Sequence, residues 1–292
     1  MATPHPSLPI IAAALTGILV GAAIVATRFV VGEVGPASLA MLRYMIGFMF
    51  LLPVVLVSGP IRFARRDILA IALLGIGQFG VLIALLNFGL QFMTAARAAL
   101  IFATLPLLAM GLAVALGREQ LTAPKIIGVL LTIVGVGAVL GGKLLTSQNG
   151  TTEWLGIVAV LASAVVGAVC SVYYRPYLQR YPTVPISAFA MLSSVVFLAG
   201  LAVAEGSLGD IASVSPAGWV AIGFIGLSSA FGYLLWLWAL KHATPTRVTV
   251  FLSLSPVTAA LLGVAILGET ISASLVIGLA CVAWGLFWAH RN

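Results

Sequence analysis

The sequence predicts an all-α membrane protein of ten transmembrane helices, arranged as two inverted five-helix repeats. Three observations predict it. Of the 292 residues, 62% are hydrophobic and only 7% are charged, with a mean hydropathy of +1.21. The apolar residues gather into ten runs, each near the roughly 20 residues that one span needs. A shift of 150 positions lays unusual residues of the second half on their counterparts in the first.

The composition excludes whole classes. A soluble domain is about 45–50% apolar and about 25% charged, and a sphere this apolar could not cover itself with polar surface. A soluble globular enzyme, a disordered chain and a nucleic-acid-binding module are therefore ruled out. The net charge of +7, from 14 basic and 7 acidic residues, is read as membrane orientation, because the basic residues fall between apolar runs. Cys170 and Cys281 lie inside such runs and read as small buried hydrophobes, not as a disulfide or metal pair.

The first run, at about 8–31, has no Lys or Arg ahead of it and is long enough to span, so it reads as a retained helix, not a signal peptide. The second, about 36–58, follows the Gly35-Pro36 break, and the third, about 67–91, follows Ser58-Gly59-Pro60. The fourth, about 95–117, closes on Gly117 as a C′ glycine; the fifth is about 123–142. The polar stretch from Thr146 to Thr152 is a linker between expected domains 1–145 and 153–292. The sixth helix is expected at about 153–174 and the seventh at about 185–204, past Tyr181-Pro182. The eighth, about 216–240, starts after Ser215-Pro216; the ninth, about 246–267, closes on Gly268; the tenth is about 272–290.

The mid-chain linker invites the search for a repeat. At a shift of 150, Arg97 falls on Arg247, Pro106 on Pro256, Glu119 on Glu269 and Gly128 on Gly278, and Ala40-Met41-Leu42 meets Ala190-Met191-Leu192. Five helices per half is odd, so the second half enters the membrane the other way up, an architecture whose substrate site lies near the midplane between halves. With the N-terminus inside, Arg62, Arg65, Arg66, Arg118, Lys125, Arg175, Arg180, Lys241, Arg247 and Arg291 are cytoplasmic, against Arg28, Arg97 and Lys143 outside. That bias puts both termini in the cytoplasm. Trp154, Trp219, Trp284 and Trp288 sit near helix ends, as interfacial anchors do.

Two nucleotide-binding lookalikes read as helix packing. Gly75-Ile76-Gly77-Gln78-Phe79-Gly80 fits G-x-G-x-x-G, yet lies inside an apolar helix with no strand before it. Gly137 to Lys143 resembles the start of a phosphate-binding loop, but Leu144 stands where Ser or Thr belongs. Gly17-x-x-x-Gly21 and Gly137-x-x-x-Gly141 fit close helix contact equally well. The histidines, His5, His242 and His290, are terminal or at helix ends, so neither a metal site nor a hydrolytic triad is expected, and no cofactor.

Polar side chains within spans need partners of their own. Gln78, Asn87 and Gln91 lie on the third helix; Asn87 and Gln91 share a face, while Gln78, nine residues before Asn87, is about opposite. Each serves either substrate contact or an interhelical hydrogen bond. On the eighth helix Ser229, Tyr233 and Trp236 recur along one face, with Ser228, Phe231 and Trp238 nearby. That face suits a planar amphipathic solute, or ordinary packing. Tyr173 and Tyr174 add aromatic surface on the sixth helix. Pro106 and Pro256 sit mid-span at equivalent places, where each loosens a carbonyl and shapes or gates a cavity, or merely bends its helix. Arg97 and Arg247 head helices, where a cation is disfavoured, so an acid, a headgroup or a substrate must compensate. Arg43, about seven residues into the second helix, is the candidate for a carboxylate, with Arg28 and Glu33 as possible neighbours. Glu119 and Glu269, just ahead of helix starts, read as structural. No Asp or Glu lies at mid-depth, where a proton-coupled carrier titrates one, so facilitated diffusion is the simplest expectation, with sodium coupling still open.

Ala95-Ala96-Arg97-Ala98-Ala99-Leu100-Ile101, Leu105-Pro106, Gly117-Arg118-Glu119-Gln120-Leu121 and Ile127-Gly128, repeated as Leu254-Ser255-Pro256, Leu267-Gly268-Glu269-Thr270 and Ile277-Gly278, resemble the EamA pattern of the drug/metabolite transporter superfamily. The resemblance implies ten helices in inverted halves and a central cavity lined mainly by helices one, three, four, six, eight and nine. It makes Pro106, Pro256, Glu119 and Glu269 architectural positions. Helix one departs from the family's frequent Trp-Gly, having Val20-Gly21. As a whole the chain looks most like the bacterial aromatic amino acid exporters. The expectation is thus a monomeric inner-membrane exporter of aromatic and other neutral amino acids, not an enzyme, working by alternating access with Gln78, Asn87, Tyr233, Trp236 and Arg43 at the substrate. Its rivals are a carrier of anionic or phosphorylated metabolites, a proton-coupled drug exporter, an intramembrane enzyme and a passive channel.

Overall fold

The computed structural model describes residues 8–57, 63–118, 150–243 and 254–289, with 248, 251 and parts of 120–135. Regular structure among the described residues is entirely helical. We number the helices α1 (Leu8–Val34), α2 (Pro36–Val57), α3 (Arg65–Gly75), α4 (Leu82–Leu90), α5 (Ala95–Phe102), α6 (Leu105–Ala115), α7 (Gly150–Arg180), α8 (Thr183–Glu205), α9 (Pro216–His242), α10 (Leu254–Leu267) and α11 (Ala273–Ala289). A π-helical segment, Ile76–Val81, joins α3 to α4 without a break. Among the described residues, 7 stretches are long and apolar enough to cross a membrane, and α10 and α11 are shorter apolar helices. Of the expected fifth span, the residues described between 123 and 135 are helical. Glu119, Arg247, Gly137, Gly141, Lys143, His5 and His290 lie outside the described residues.

The helix ends obey local chemistry. Gly35, Gly117, Gly206 and Gly268 all adopt positive φ, the conformation that closes a helix and that only glycine enters freely. At Gly117 the Arg118 amide reaches back to Ala113 O at 2.8 Å and the Gly117 amide to Val114 O at 2.9 Å, the paired closure of a Schellman turn. Ser215 caps α9, its hydroxyl accepting from the Gly218 amide at 3.0 Å, with Pro216 in the first turn.

Two spans differ from expectation. The sixth runs on to Arg180 through Pro176. A proline leaves the carbonyl four residues back without its donor; that carbonyl, Val172 O, accepts from Arg118 Nη1 at 3.1 Å instead, so the helix continues. The fourth is not one helix but two, broken at Ala103 and Thr104. Pro106 stands in the first turn of α6, where a missing donor does no harm.

The closest helix pairings cross between the two halves of the chain. α1 packs on α9 and α10, α2 on α8 and α9, and the α3–α4 segment on α7 and α8. Gly17 and Gly21 face α10 so closely that a Cβ on Gly21 would stand 2.5 Å from Ser255 O. The glycines of the G-x-G-x-x-G lookalike each meet another helix as well: Gly75 against Ala190, Gly77 against Cys170, Gly80 against Phe197. Interhelical polar contacts collect at helix ends. At one end Asp67 accepts from Arg180 Nη1 and Tyr181 Oη, both at 2.6 Å. At the other, Glu33 accepts from the Ser215 amide at 2.9 Å, Glu205 from the Ala37 amide at 3.2 Å, and Ser38 pairs with Ser207 at 2.8 Å.

Candidate functional site

A cavity opens between the halves, near the middle of the helices that line it. α1 supplies Thr16, Val20 and Ile24; α2 supplies Arg43 and Tyr44; the π segment supplies Gln78 and Phe79. Leu82, Ile83 and Leu86 follow on α4, Phe102 and Leu105 flank the break between α5 and α6, Ser171 comes from α7, and Ser228, Ser229, Tyr233 and Trp236 from α9. Helix two is thus a wall that the family resemblance did not imply; among the described lining residues none comes from α10.

Arg43 is the cation of this cavity among its described lining residues. It lies about 10 Å along α2 at 1.5 Å per residue and is buried. Its Nε donates to Ser229 Oγ at 2.6 Å, and the guanidinium stands 5.5 Å from the Tyr44 ring centre. Ser229 is itself fixed, donating to Ile225 O one turn back. Among the described residues Arg43 meets no carboxylate within ion-pair distance. The cluster imagined with Glu33 does not form, because Glu33 is taken by Ser215. A cation at this depth is costly, and among the described residues no hydrogen bond occupies its two terminal nitrogens, which suit an anionic group brought from outside.

The hydroxyls have a common habit. Thr16 donates to Ala12 O at 2.8 Å and leans on Gly232 O at 3.2 Å; Ser171 donates to Gly167 O at 2.7 Å; Ser228 donates to Ile225 O at 3.1 Å. Each spends its proton on a helix carbonyl, so what remains for the cavity is lone pairs. Beside them runs an aromatic row. The Phe79 ring lies 4.8 Å from Tyr44 and 4.4 Å, edge-on, from Tyr233. Leucine and isoleucine side chains complete the wall.

Of the residues singled out from sequence, Arg43, Gln78, Tyr233 and Trp236 come together here. Asn87 does not: it is fully buried and its Nδ2 donates to Pro36 O at 3.0 Å, tying α4 to the start of α2. Gln78 lines the cavity while Asn87 does not, and Gln91 is exposed at the helix end. Pro106 and Pro256 are buried off the cavity; Pro106 acts at one remove, by fixing the break beside Phe102 and Leu105. Trp238 stacks on His242 at 4.5 Å instead of facing the cavity, and Tyr173 lies outward against Arg118. Arg97 is compensated by an acid, pairing with Glu153 at the head of α7, while Glu269 caps α5 by accepting from the Ala95 amide at 3.0 Å. Sequence reasoning missed Tyr44, Phe79, Thr16 and Ser171. Tyr44 and Phe79 each adjoin a chosen residue, and the hydroxyls were legible as polar groups inside spans. Among the described residues no group of three or more His, Cys, Asp or Glu could hold a metal ion.

Comparison with known proteins agrees with this architecture. An uncharacterized transporter of Archaeoglobus fulgidus is 27% identical over 281 residues, covering 96% of this chain and 97% of its own. A probable terminal-alkyne amino-acid exporter of Streptantibioticus cattleyicolor is 28% identical over 284 residues, covering 95% and 92%. A solved crystal structure superimposes with a TM-score of 0.70 at 22% identity, over 95% of this chain and 96% of that one, and shares the fold. The EamA-like transporter family matches twice, over residues 7–141 and 154–290, and the chain, a multi-pass membrane protein, belongs to that family.

Proposed function

We propose that this transporter exports neutral amino acids, aromatic ones among them, across the bacterial inner membrane. The observation that carries the reading is the cavity: a buried guanidinium without an acidic partner among the described residues, set beside the Tyr44, Phe79 and Tyr233 rings. The guanidinium takes the carboxylate, the hydroxyl lone pairs take the ammonium, and the rings with Trp236 take the side chain. One relative's name, that of an amino-acid exporter, points the same way. A phosphorylated solute fits less well, since a phosphate dianion would meet a single cation among the described lining residues.

The proposed carrier is a monomer in the lipid bilayer, with ten helices in two inverted repeats, 1–145 and 153–292, and both termini in the cytoplasm. It works by alternating access. No acid lines the cavity among the described residues, so transport is facilitative and independent of protons. The test is uptake of labelled amino acids into proteoliposomes holding the purified chain, with and without a pH gradient. Saturable phenylalanine flux, indifferent to the gradient, is the expected result. An absence of amino acid flux would defeat the substrate; flux that needs the gradient would defeat the facilitative mechanism.

A further inference from the structure

The cavity's charges do not balance for an amino acid, and that imbalance names the substrate class more narrowly. An amino acid brings one anion and one cation. The anion meets Arg43. The cation meets Thr16, Ser171 and Ser228, whose protons are already given to helix carbonyls, and the Gln78 amide. These are neutral acceptors. They can hydrogen-bond an ammonium, but they cannot cancel its charge, and no carboxylate lines the cavity among the described residues. Arg43 with a zwitterion therefore leaves one net positive charge among apolar walls. Arg43 with a simple carboxylate leaves none. In a medium of low dielectric the second pairing is favoured, because an uncompensated charge is what burial penalises.

Resting on the reading of this cavity as a carboxylate-binding site, we infer that it recognises apolar monocarboxylates as a class and does not require the α-amine. Aryl and branched-alkyl acids lacking the amine are ligands at least as good as the parent amino acids, and cationic solutes are rejected. Ser229 is the positioning residue. Its Oγ holds the Nε edge of the guanidinium, which leaves the terminal nitrogens of this cavity-lining residue as the pair to grip a carboxylate side by side. A purely structural Ser229 would matter equally for every ligand; a positioning Ser229 matters for carboxylates only.

Three probes with one ring separate the two charges: 3-phenylpropanoate has the carboxylate alone, phenylalanine has both groups, and 2-phenylethylamine has the amine alone. Binding of each to the purified full chain in nanodiscs is measured by titration calorimetry at neutral pH, which also avoids passive leakage of the free acid. The expected order is phenylpropanoate at least equal to phenylalanine, with the amine weaker by about thirtyfold or more, as repulsion from an unscreened cation requires. Arg43→Gln should abolish that order. Ser229→Ala should weaken both carboxylates about three- to tenfold and leave the amine unchanged. Should Arg43→Gln fail to fold, Arg43→Lys, which keeps the charge without the fork, should bind carboxylates at an intermediate level, and the wild-type order alone still decides. Phenylalanine binding without phenylpropanoate binding would overturn the inference and leave the amino acid reading intact. Binding of the amine as well as the acid would overturn it too. No binding of either carboxylate would overturn both.

Discussion

Replacing Gly21 by alanine tests whether α1 is held where the cavity needs it. A Cβ built on Gly21 would stand 2.5 Å from Ser255 O, 2.7 Å from the Thr258 Cβ and 3.1 Å from the Ser255 Cα. A methyl carbon and a carbonyl oxygen rest about 3.3–3.6 Å apart, so the two backbones must separate by about 1 Å at this crossing. No flexible side chain can yield in their place, because the oxygen and the Cα are main chain. Inserting a methyl group into a tight core contact costs about 1–3 kcal/mol, against which alanine regains up to about 1 kcal/mol of helix propensity. Gly32 supplies the control, since its Cβ would meet nothing within 4 Å. Gly32→Ala should be neutral or slightly stabilising, and Gly21→Ala less stable than Gly32→Ala by about 1–3 kcal/mol, since the propensity gain is common to both. The assay is reversible unfolding of the purified protein in mixed micelles, read by circular dichroism. Thr16, Val20 and Ile24 ride on the same helix into the cavity wall, so phenylalanine affinity should fall with stability in Gly21→Ala and not in Gly32→Ala. Equal stability of the two variants would refute the claim that α1 and α10 are in backbone contact.

Asn87→Leu should cost about 0.6–2 kcal/mol of stability, the range for an interhelical hydrogen bond, while ligand affinity stays unchanged in calorimetry; a change in affinity alone would return Asn87 to the substrate. Glu153→Gln leaves Arg97 without its partner and should destabilise by somewhat less than the 3–5 kcal/mol of a fully buried pair, because the Glu153 side chain keeps 21% exposure. The double variant Arg97→Met, Glu153→Leu should recover most of that loss in the same unfolding assay. Phe79→Ala removes the middle ring of the aromatic row and should weaken phenylalanine about tenfold relative to alanine, since an aromatic pair adds about 0.5–1.5 kcal/mol beyond buried area. An equal loss for both ligands would mean that the row is scaffold.

The parts of the fold that were readable in the sequence are those fixed by local chemistry. Gly35-Pro36, Gly117 and Ser215-Pro216 mark helix ends because positive φ, a missing N–H and a capping hydroxyl act within four residues of themselves. Arg43, Gln78, Tyr233 and Trp236 were legible because polarity and aromaticity are conspicuous in an apolar span. What was illegible depended on partners far along the chain. The sixth helix is expected to stop at about 174; it continues through Pro176, where Arg118, from the other half, donates to Val172 O. Asn87 reads as a cavity residue; it is claimed by Pro36 O on α2. Glu33 reads as a neighbour for Arg43, yet it accepts from the amide and hydroxyl of Ser215. No periodicity announces such pairings, since hydrogen-bond partners in an apolar core are chosen by tertiary geometry.

The crossing of the halves limits how this cavity can open. Were each half a separate bundle, rocking one against the other would break few contacts. Here α1 is seated on α10 through glycine-lined backbone contact, and α2 is clasped by α8 and α9. Sliding whole halves past one another would strip those close contacts. Units that move as bodies must therefore contain helices of both halves. The irregular backbone sits where such units would have to flex. The π segment Ile76–Val81 carries Gln78 and Phe79, and the Ala103–Thr104 break carries Phe102 and Leu105 beside it. Both irregularities are cavity wall, and π turns and broken helices are weaker in hydrogen bonding than the α-helix around them. Phe79 and Phe102 thus line the cavity at two of the places where the described backbone departs from the α-helix.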